Sequence, residues 1–216
     1  MNTMLTEQSL RAQWKDLRAR LTAKRLLVGS APSLSLRVPG SDAMWFGKAS
    51  DLEPQRLSLQ ELPRPVHGAG AHVATYALRD DVCAVASGGG DFGLRLADFD
   101  GAMPGVFDEQ VRHLGKMMPP ARETSELARA LRPGGNVLLF KGEPVVLGMT
   151  GARLVLNAEL FEKCAKAYVL AQACGGVTMS LPWIVRFVAN RRLMKDEKRA
   201  SARTKAGLLP EETKGY

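Results

Sequence analysis

Few side chains in this sequence have the type and spacing to do chemistry. His67, His72 and His113 are the only three histidines. They form neither a His-x-His nor the i,i+4 pair of a helical metal site. The other conspicuous stretch is Val82-Cys83-Ala84-Val85-Ala86-Ser87-Gly88-Gly89-Gly90-Asp91, an apolar run that empties into a serine and three glycines. Bare amides at a strand-to-helix turn bind anions, and glycine is also the default wherever backbone is awkward. The run therefore reads either as a phosphate cradle or as a permissive loop. It has neither the GxGxxG spacing of a dinucleotide fold nor the Lys-Ser or Lys-Thr of a P-loop. No serine sits in G-x-S-x-G, and the sequence sets no base beside Ser87. Glu143 lies on a tight turn, where an acid is more often solvated than catalytic. Met103, Met117, Met118 and Met149 read as core or interface filling.

The elements that must carry these residues follow from periodicity. Leu10, Trp14, Leu17, Leu21 and Leu26 recur at helical spacing between about Thr6 and Leu27, which predicts an amphipathic helix. Ser33 to Val38 alternates with period two, Pro39-Gly40-Ser41-Asp42 is turn chemistry, and Ala43 to Phe46 resumes an apolar run, so a hairpin is expected. The polar segment from Asp51 to Pro65 reads as a crossing, Ala69 to Leu78 as a helix, and Val82 to Ala86 as a strand. Phe92 to Phe99 and Thr124 to Leu131 are helical candidates, the latter with Glu123 or Thr124 at its start. Strands are expected at Asn136 to Phe140 and Pro144 to Leu147, then a long helix from Leu156 to Ala173 ending at Gly175-Gly176. A hairpin early and another late, with helices between, give an α/β layer protein whose sheet is not purely parallel.

With 216 residues, 45% hydrophobic and 24% charged, one sizeable core is expected. No apolar run reaches the length of a membrane span, and the first twenty residues lack signal-peptide order, so a cytoplasmic setting and no membrane partner are expected. Cys83, Cys164 and Cys174 lie far apart in apolar segments and read as buried thiols. The net charge of +8 is concentrated: Arg186 to Lys205 holds eight Lys or Arg against Asp196 and Glu197, a net +6. Without aromatic interleaving, zinc-finger spacing or an RNP-like strand, this region reads first as a solvated or subunit-packing tail, with a nucleic-acid or other anionic surface as the lesser alternative. Its removal beyond Pro182 is expected to leave the fold intact. Trp183, Ile184, Phe187 and Val188 are the exception, a short apolar face expected to pack on the body or on a neighbour.

The order of motifs resembles the class II aldolase/adducin family, the fold of L-fuculose-phosphate and ribulose-phosphate enzymes. The best-matched segment runs from His72 through Tyr76, Arg79, Asp81 and Val82 to Val85. The opening helix, the hairpin Leu34 to Gly40, Val137-Leu138-Leu139, Val145 to Gly148, and Ala165-Lys166-Ala167-Tyr168 match in order, so the resemblance covers about residues 8 to 175. It implies a three-layer α/β/α protein with a mixed, largely antiparallel central sheet over residues 1–182, followed by a basic C-terminal extension over 183–216. It also implies a homo-oligomer, a tetramer in the family, with sites between neighbours.

The resemblance also marks what differs. Counted from His72 without a gap, the family's zinc-binding His-x-His falls on Ser87-Gly88-Gly89, its catalytic Glu on Gly68, and its third zinc histidine on Lys141 or Gly142. None of these replaces a neutral imidazole on zinc. The phosphate loops read Pro32-Ser33-Leu34-Ser35, Gly47-Lys48-Ala49-Ser50 and Val66-His67. Ser33, Lys48, His67, Ser87 and Lys141 are thus the ligand-pocket candidates, with Lys48, His67 and Lys141 as basic groups around one cleft. His72 falls at a family position of structural character and is expected to pack or hydrogen-bond. The expectation is a degenerate member of the family without a cofactor, acting as a non-catalytic binding or interaction protein that takes at most a small anionic ligand. The alternative is a metal-independent aldolase- or lyase-like enzyme acting on a small phosphorylated or carboxylated carbonyl compound.

Overall fold

The structure is a computed structural model that describes residues 3–60 and 68–212, with the side chains of residues 3–6 not described. Helix α1 (Thr3–Ala23) leads into β1 (Val28–Val38), β2 (Ala43–Lys48) and β3 (Gln55–Ser58). Helix α2 (Gly70–Leu78) feeds β4 (Ala84–Gly89), followed by α3 (Asp91–Arg95) with a 3-10 turn at Leu96–Asp98, and by α4 (Asp108–His113). A second 3-10 turn (Thr124–Glu126) and α5 (Leu127–Ala130) precede β5 (Val137–Phe140), β6 (Glu143–Gly148), α6 (Gly151–Ala173) and α7 (Trp183–Lys205). The sheet runs β3-β2-β1-β4-β6-β5, and each of its ladders is antiparallel. A parallel bridge joins Ala121 to Phe140.

Period-two alternation decides which layer each strand residue serves. Leu34, Leu36 and Val38 of β1, with Ala84 and Ala86 of β4, face one core, where Trp14, Leu17 and Leu21 of α1 meet Leu154 and Phe161 of α6. Trp14 has no exposed surface, and its Nε1–H donates to the Leu34 carbonyl at 2.9 Å. Met44 and Phe46 of β2, Val85 of β4 and Leu147 of β6 face the opposite layer, against Tyr76 of α2 and Leu127 of α5. Helices cover both faces, so the architecture is three-layered, as expected. Met103, Met117 and Met149 are buried within the chain. Cys83 and Cys164 are buried too, but Cys174 is exposed because it lies at the end of α6, which corrects the expectation for that thiol.

The region expected as a solvated or subunit-packing tail is docked on the body over part of its length. The second half of α7 is docked: Leu193, Asp196, Glu197, Ala200 and Thr204 are buried. Arg79, itself 1% exposed, donates to both oxygens of Asp81 at 2.7 Å and to Glu197 Oε1 at 3.1 Å. The other Glu197 oxygen accepts the Gly134 N–H at 2.8 Å, and Asp196 pairs with Arg112 at 2.8 Å. Two carboxylates thus share one buried guanidinium. Asp81 holds the bidentate position, and burial pushes the Glu197 carboxyl up to about 7 against the pull of Arg79. The first turns of α7 are less covered: Trp183 is 69% exposed, and Ile184, Phe187 and Val188 are about half exposed, so this apolar face packs on the body only in part.

Candidate ligand cleft at the strand ends

Ser33 of β1 lies opposite Ser87 of β4 in the ladder. Alternation turns both hydroxyls, and that of Ser35, toward α2. On α2, His72 and Tyr76 are one turn apart and so project from the same face. His72 is fully buried, with Nε2 3.0 Å from both Ser33 Oγ and Ser87 Oγ and Nδ1 2.8 Å from Ser35 Oγ. Ser35 Oγ lies a further 2.8 Å from the Tyr76 hydroxyl, and Phe46 meets the imidazole edge-on at 5.2 Å. Burial depresses the His72 pKa from 6.5 to about 3 and raises that of Tyr76 above its ordinary value. The imidazole is therefore neutral near pH 7. With Nε2 shared by two hydroxyls, it is a poor proton acceptor for Ser87. The hydrogen-bonding role expected of His72 holds, and the knot ties β1 and β4 to α2.

Above this knot opens a cleft of about 360 Å³, lined among others by Ser30, Gly68, Ser87, Thr124, Lys141 and Glu143. Lys141 sits at the β5–β6 turn in the left-handed region, φ +52, with Nζ 5.5 Å from the Phe140 ring centre. Glu143 is oriented by the Ser30 N–H, which donates to Oε1 at 2.5 Å. Of the five candidates from the sequence, Ser87 and Lys141 line the cleft, and Ser33 lies beneath it through the histidine. Lys48 is exposed at the end of β2, outside the cleft lining; its own N–H donates to Asp51 Oδ2. The expected gathering of three basic groups therefore lacks Lys48, and His67 lies outside the described residues. Sequence reasoning missed Ser30, Thr124 and the serine–histidine contacts. The readable signal was serines two apart on a strand matched to His72 and Tyr76 four apart on a helix.

The glycine run belongs to the strand end and not to a loop, and what approaches it is the protein itself. Gly88, at φ +98, sits where β1 and β4 slip register, and a Cβ there would come within 2.6 Å of the Val28 carbonyl oxygen. At Gly89 it would meet Pro144 at 2.8 Å, and at Gly90 the Glu162 carboxylate at 2.3 Å. That carboxylate accepts the Phe92 and Gly93 N–H groups, both at 2.8 Å. The amides that could cradle a phosphate are filled by an internal acid. Nor do the residues here fit a zinc ion: Ser87 offers one hydroxyl, the next two positions offer no side chain, and among the described residues no three His, Cys, Asp or Glu converge.

This antiparallel six-stranded sheet between helical layers has the fold of solved class II aldolase structures. The *Escherichia coli* protein YgbL, described as a putative aldolase/epimerase/decarboxylase, superposes with a TM-score of 0.69 at 18% identity over 87% of this chain and 99% of its own. An L-fuculose 1-phosphate aldolase does so at 0.69 and 18% over 85% and 95%. An aldolase II superfamily protein from *Pseudomonas syringae* gives 0.66 and 16% over 95% of each chain. At such identities the likeness is one of fold. The sequence itself matches no protein-family model and no curated protein.

Proposed function

We propose that this chain is a degenerate member of the class II aldolase/adducin family, without the zinc site, acting as a non-catalytic binding or interaction protein whose cleft accepts a small anionic ligand. The observation that carries the reading is Ser87-Gly88-Gly89: where the family resemblance puts two imidazoles, there is one hydroxyl and backbone that Val28 and Pro144 crowd. Function resides in sites that a fold can lose. The cleft keeps Lys141 and the hydroxyls of Ser30, Ser87 and Thr124 beside the Glu143 carboxylate, which the Ser30 N–H holds, and the ammonium and hydroxyls can hold a phosphate or carboxylate by charge-assisted hydrogen bonds. His72 supports the non-catalytic reading, since burial leaves it a poor base.

The test is elemental analysis of tag-free protein together with an L-fuculose 1-phosphate cleavage assay with and without added zinc. The expected result is less than about a tenth of an equivalent of divalent metal, from the donor count, and no metal-stimulated cleavage. Near-stoichiometric zinc, or cleavage, would overturn the reading. Inorganic phosphate should raise the melting temperature by mass action, and Lys141→Ala should abolish that rise. The homo-oligomer implied by the resemblance belongs to the same proposal, and light scattering reads it directly.

A further inference from the structure

The outward face of α7 carries one continuous stripe, Ile184, Phe187, Val188, Arg191, Lys195 and Lys198, at the helical spacing that places them on one side. Its first two turns are apolar and its remainder cationic. Ile184, Phe187 and Val188 are each about half exposed, and Trp183 beside them is 69% exposed. Trp183 and Phe187 have their rings 6.3 Å apart, and Arg191 lies 5.4 Å over the Phe187 ring. Just before the helix, Val177 and Met179 are 91% and 81% exposed. Apolar groups thus crowd one end of a basic helix in open solvent, where isolated exposed residues would need no explanation but a contiguous patch does.

The basic character is stronger than the sequence suggests. Asp196 and Glu197, the only acids between Arg186 and Lys205, are turned inward and consumed by Arg112 and Arg79. Among the described residues, Arg191, Lys195 and Lys198 form no ion pair with an acid, so the stripe has no acid of its own to neutralise it.

We propose that this stripe is a peripheral docking surface for an anionic phospholipid bilayer, with Trp183, Ile184, Phe187 and Val188 dipping into the headgroup boundary and Arg191, Lys195 and Lys198 lying on the lipid phosphates. Trp and Phe on one part of a helix with Lys and Arg beside them is the arrangement that holds a helix in the plane of a bilayer interface. Ile184 to Lys198 spans about 21 Å at 1.5 Å per residue, long enough to lie along a surface and far too polar to cross it. The expectation of no membrane partner rested on the absence of a spanning run, and lying on a surface is a different demand. A polyanion such as RNA would use the cations and Trp183 but not the aliphatic Ile184, Val188, Val177 and Met179. A second copy packed stripe to stripe about a twofold axis would set Arg191, Lys195 and Lys198 against their own kind.

The experiment uses the full chain with vesicles of phosphatidylcholine alone and of phosphatidylcholine containing phosphatidylglycerol, read by co-sedimentation. Binding to the anionic vesicles should exceed that to neutral ones by about a hundredfold, the expectation for three cations at an anionic surface, and should fall with salt. Lys195→Glu/Lys198→Glu should remove the preference. Phe187→Ser should weaken binding while leaving the melting temperature unchanged, because the ring is half in solvent. Emission from Trp183 should shift to the blue on binding, a change missing in Trp183→Phe, since Trp14 and Trp45 are already buried. Equal or absent binding to the two vesicle types overturns the proposal. So does a stable oligomer lost in Phe187→Ser without any vesicle affinity, or retention of RNA with no retention of vesicles.

Discussion

Replacing Glu197 by glutamine tests whether the carboxylate that docks α7 carries an electrostatic penalty. Glu197 shares Arg79 with Asp81, and its folded pKa of about 7 stands above the ordinary 4.5 because it is buried. A carboxyl group raised in this way favours the fold most below pH 4.5, and that contribution is lost as the pH climbs through 7. Between pH 5 and pH 8 the loss amounts to about 2–3 kcal/mol. Glutamine does not titrate and still offers an oxygen to the Gly134 N–H. Urea denaturation of the wild type and Glu197→Gln at both pH values isolates the effect, because the histidines titrate identically in the two proteins and cancel. The variant should gain about 2–3 kcal/mol relative to wild type on going from pH 5 to pH 8. A double difference within about 0.5 kcal/mol of zero, or one of opposite sign, would refute the claim that Glu197 is held in the charged form against its burial.

A chain ending at Arg192 should lose about 3–5 kcal/mol or fail to fold, as judged by its melting temperature, because it strands Arg112 and removes Leu193, Glu197 and Ala200 from their sites. Gly88→Ala should cost about 2 kcal/mol or more, measured by chemical denaturation, since its positive φ and the Val28 carbonyl oxygen leave a Cβ no room. His72, whose folded pKa of about 3 lies below the ordinary 6.5, contributes stability above pH 6.5 that is lost as the pH falls toward 3, about 2 kcal/mol between pH 7 and 5. Its imidazole NMR signals should stay constant from pH 8 to 5. A midpoint near 6 would contradict the buried, neutral ring.

Where a local pattern decides a structure, the sequence was legible. Leu10, Trp14, Leu17 and Leu21 announce α1 because burying one face of a helix needs only that spacing, and the alternation from Ser33 to Val38 announces β1 for the same reason. Strand β3 was missed because it lies at the sheet edge: Gln55 and Arg56 are exposed and only Leu57 is buried. Helix α4 was missed because six residues with the one apolar residue Val111 carry no period. Of the residues the resemblance marked, Ser87 and Lys141 line the cleft and Lys48 does not, because residues aligned to neighbouring loops need not point the same way. The docking of α7 was misread because Asp196 and Glu197 look like solvated charges until partners 84 and 118 residues away are known.

That separation of 118 residues between Arg79 and Glu197 has a consequence for synthesis. Each end of the contact is a titratable group that ends up out of water. A nascent chain released through residue 182 already holds all six strands, yet its Arg79 has only Asp81 as a carboxylate partner, and the Gly134 N–H has no carboxylate at all. That end of the sheet is completed only when α7 supplies Glu197. Long-range contacts of this kind form late and slowly, which makes premature termination within α7 more damaging than its short length of chain would suggest.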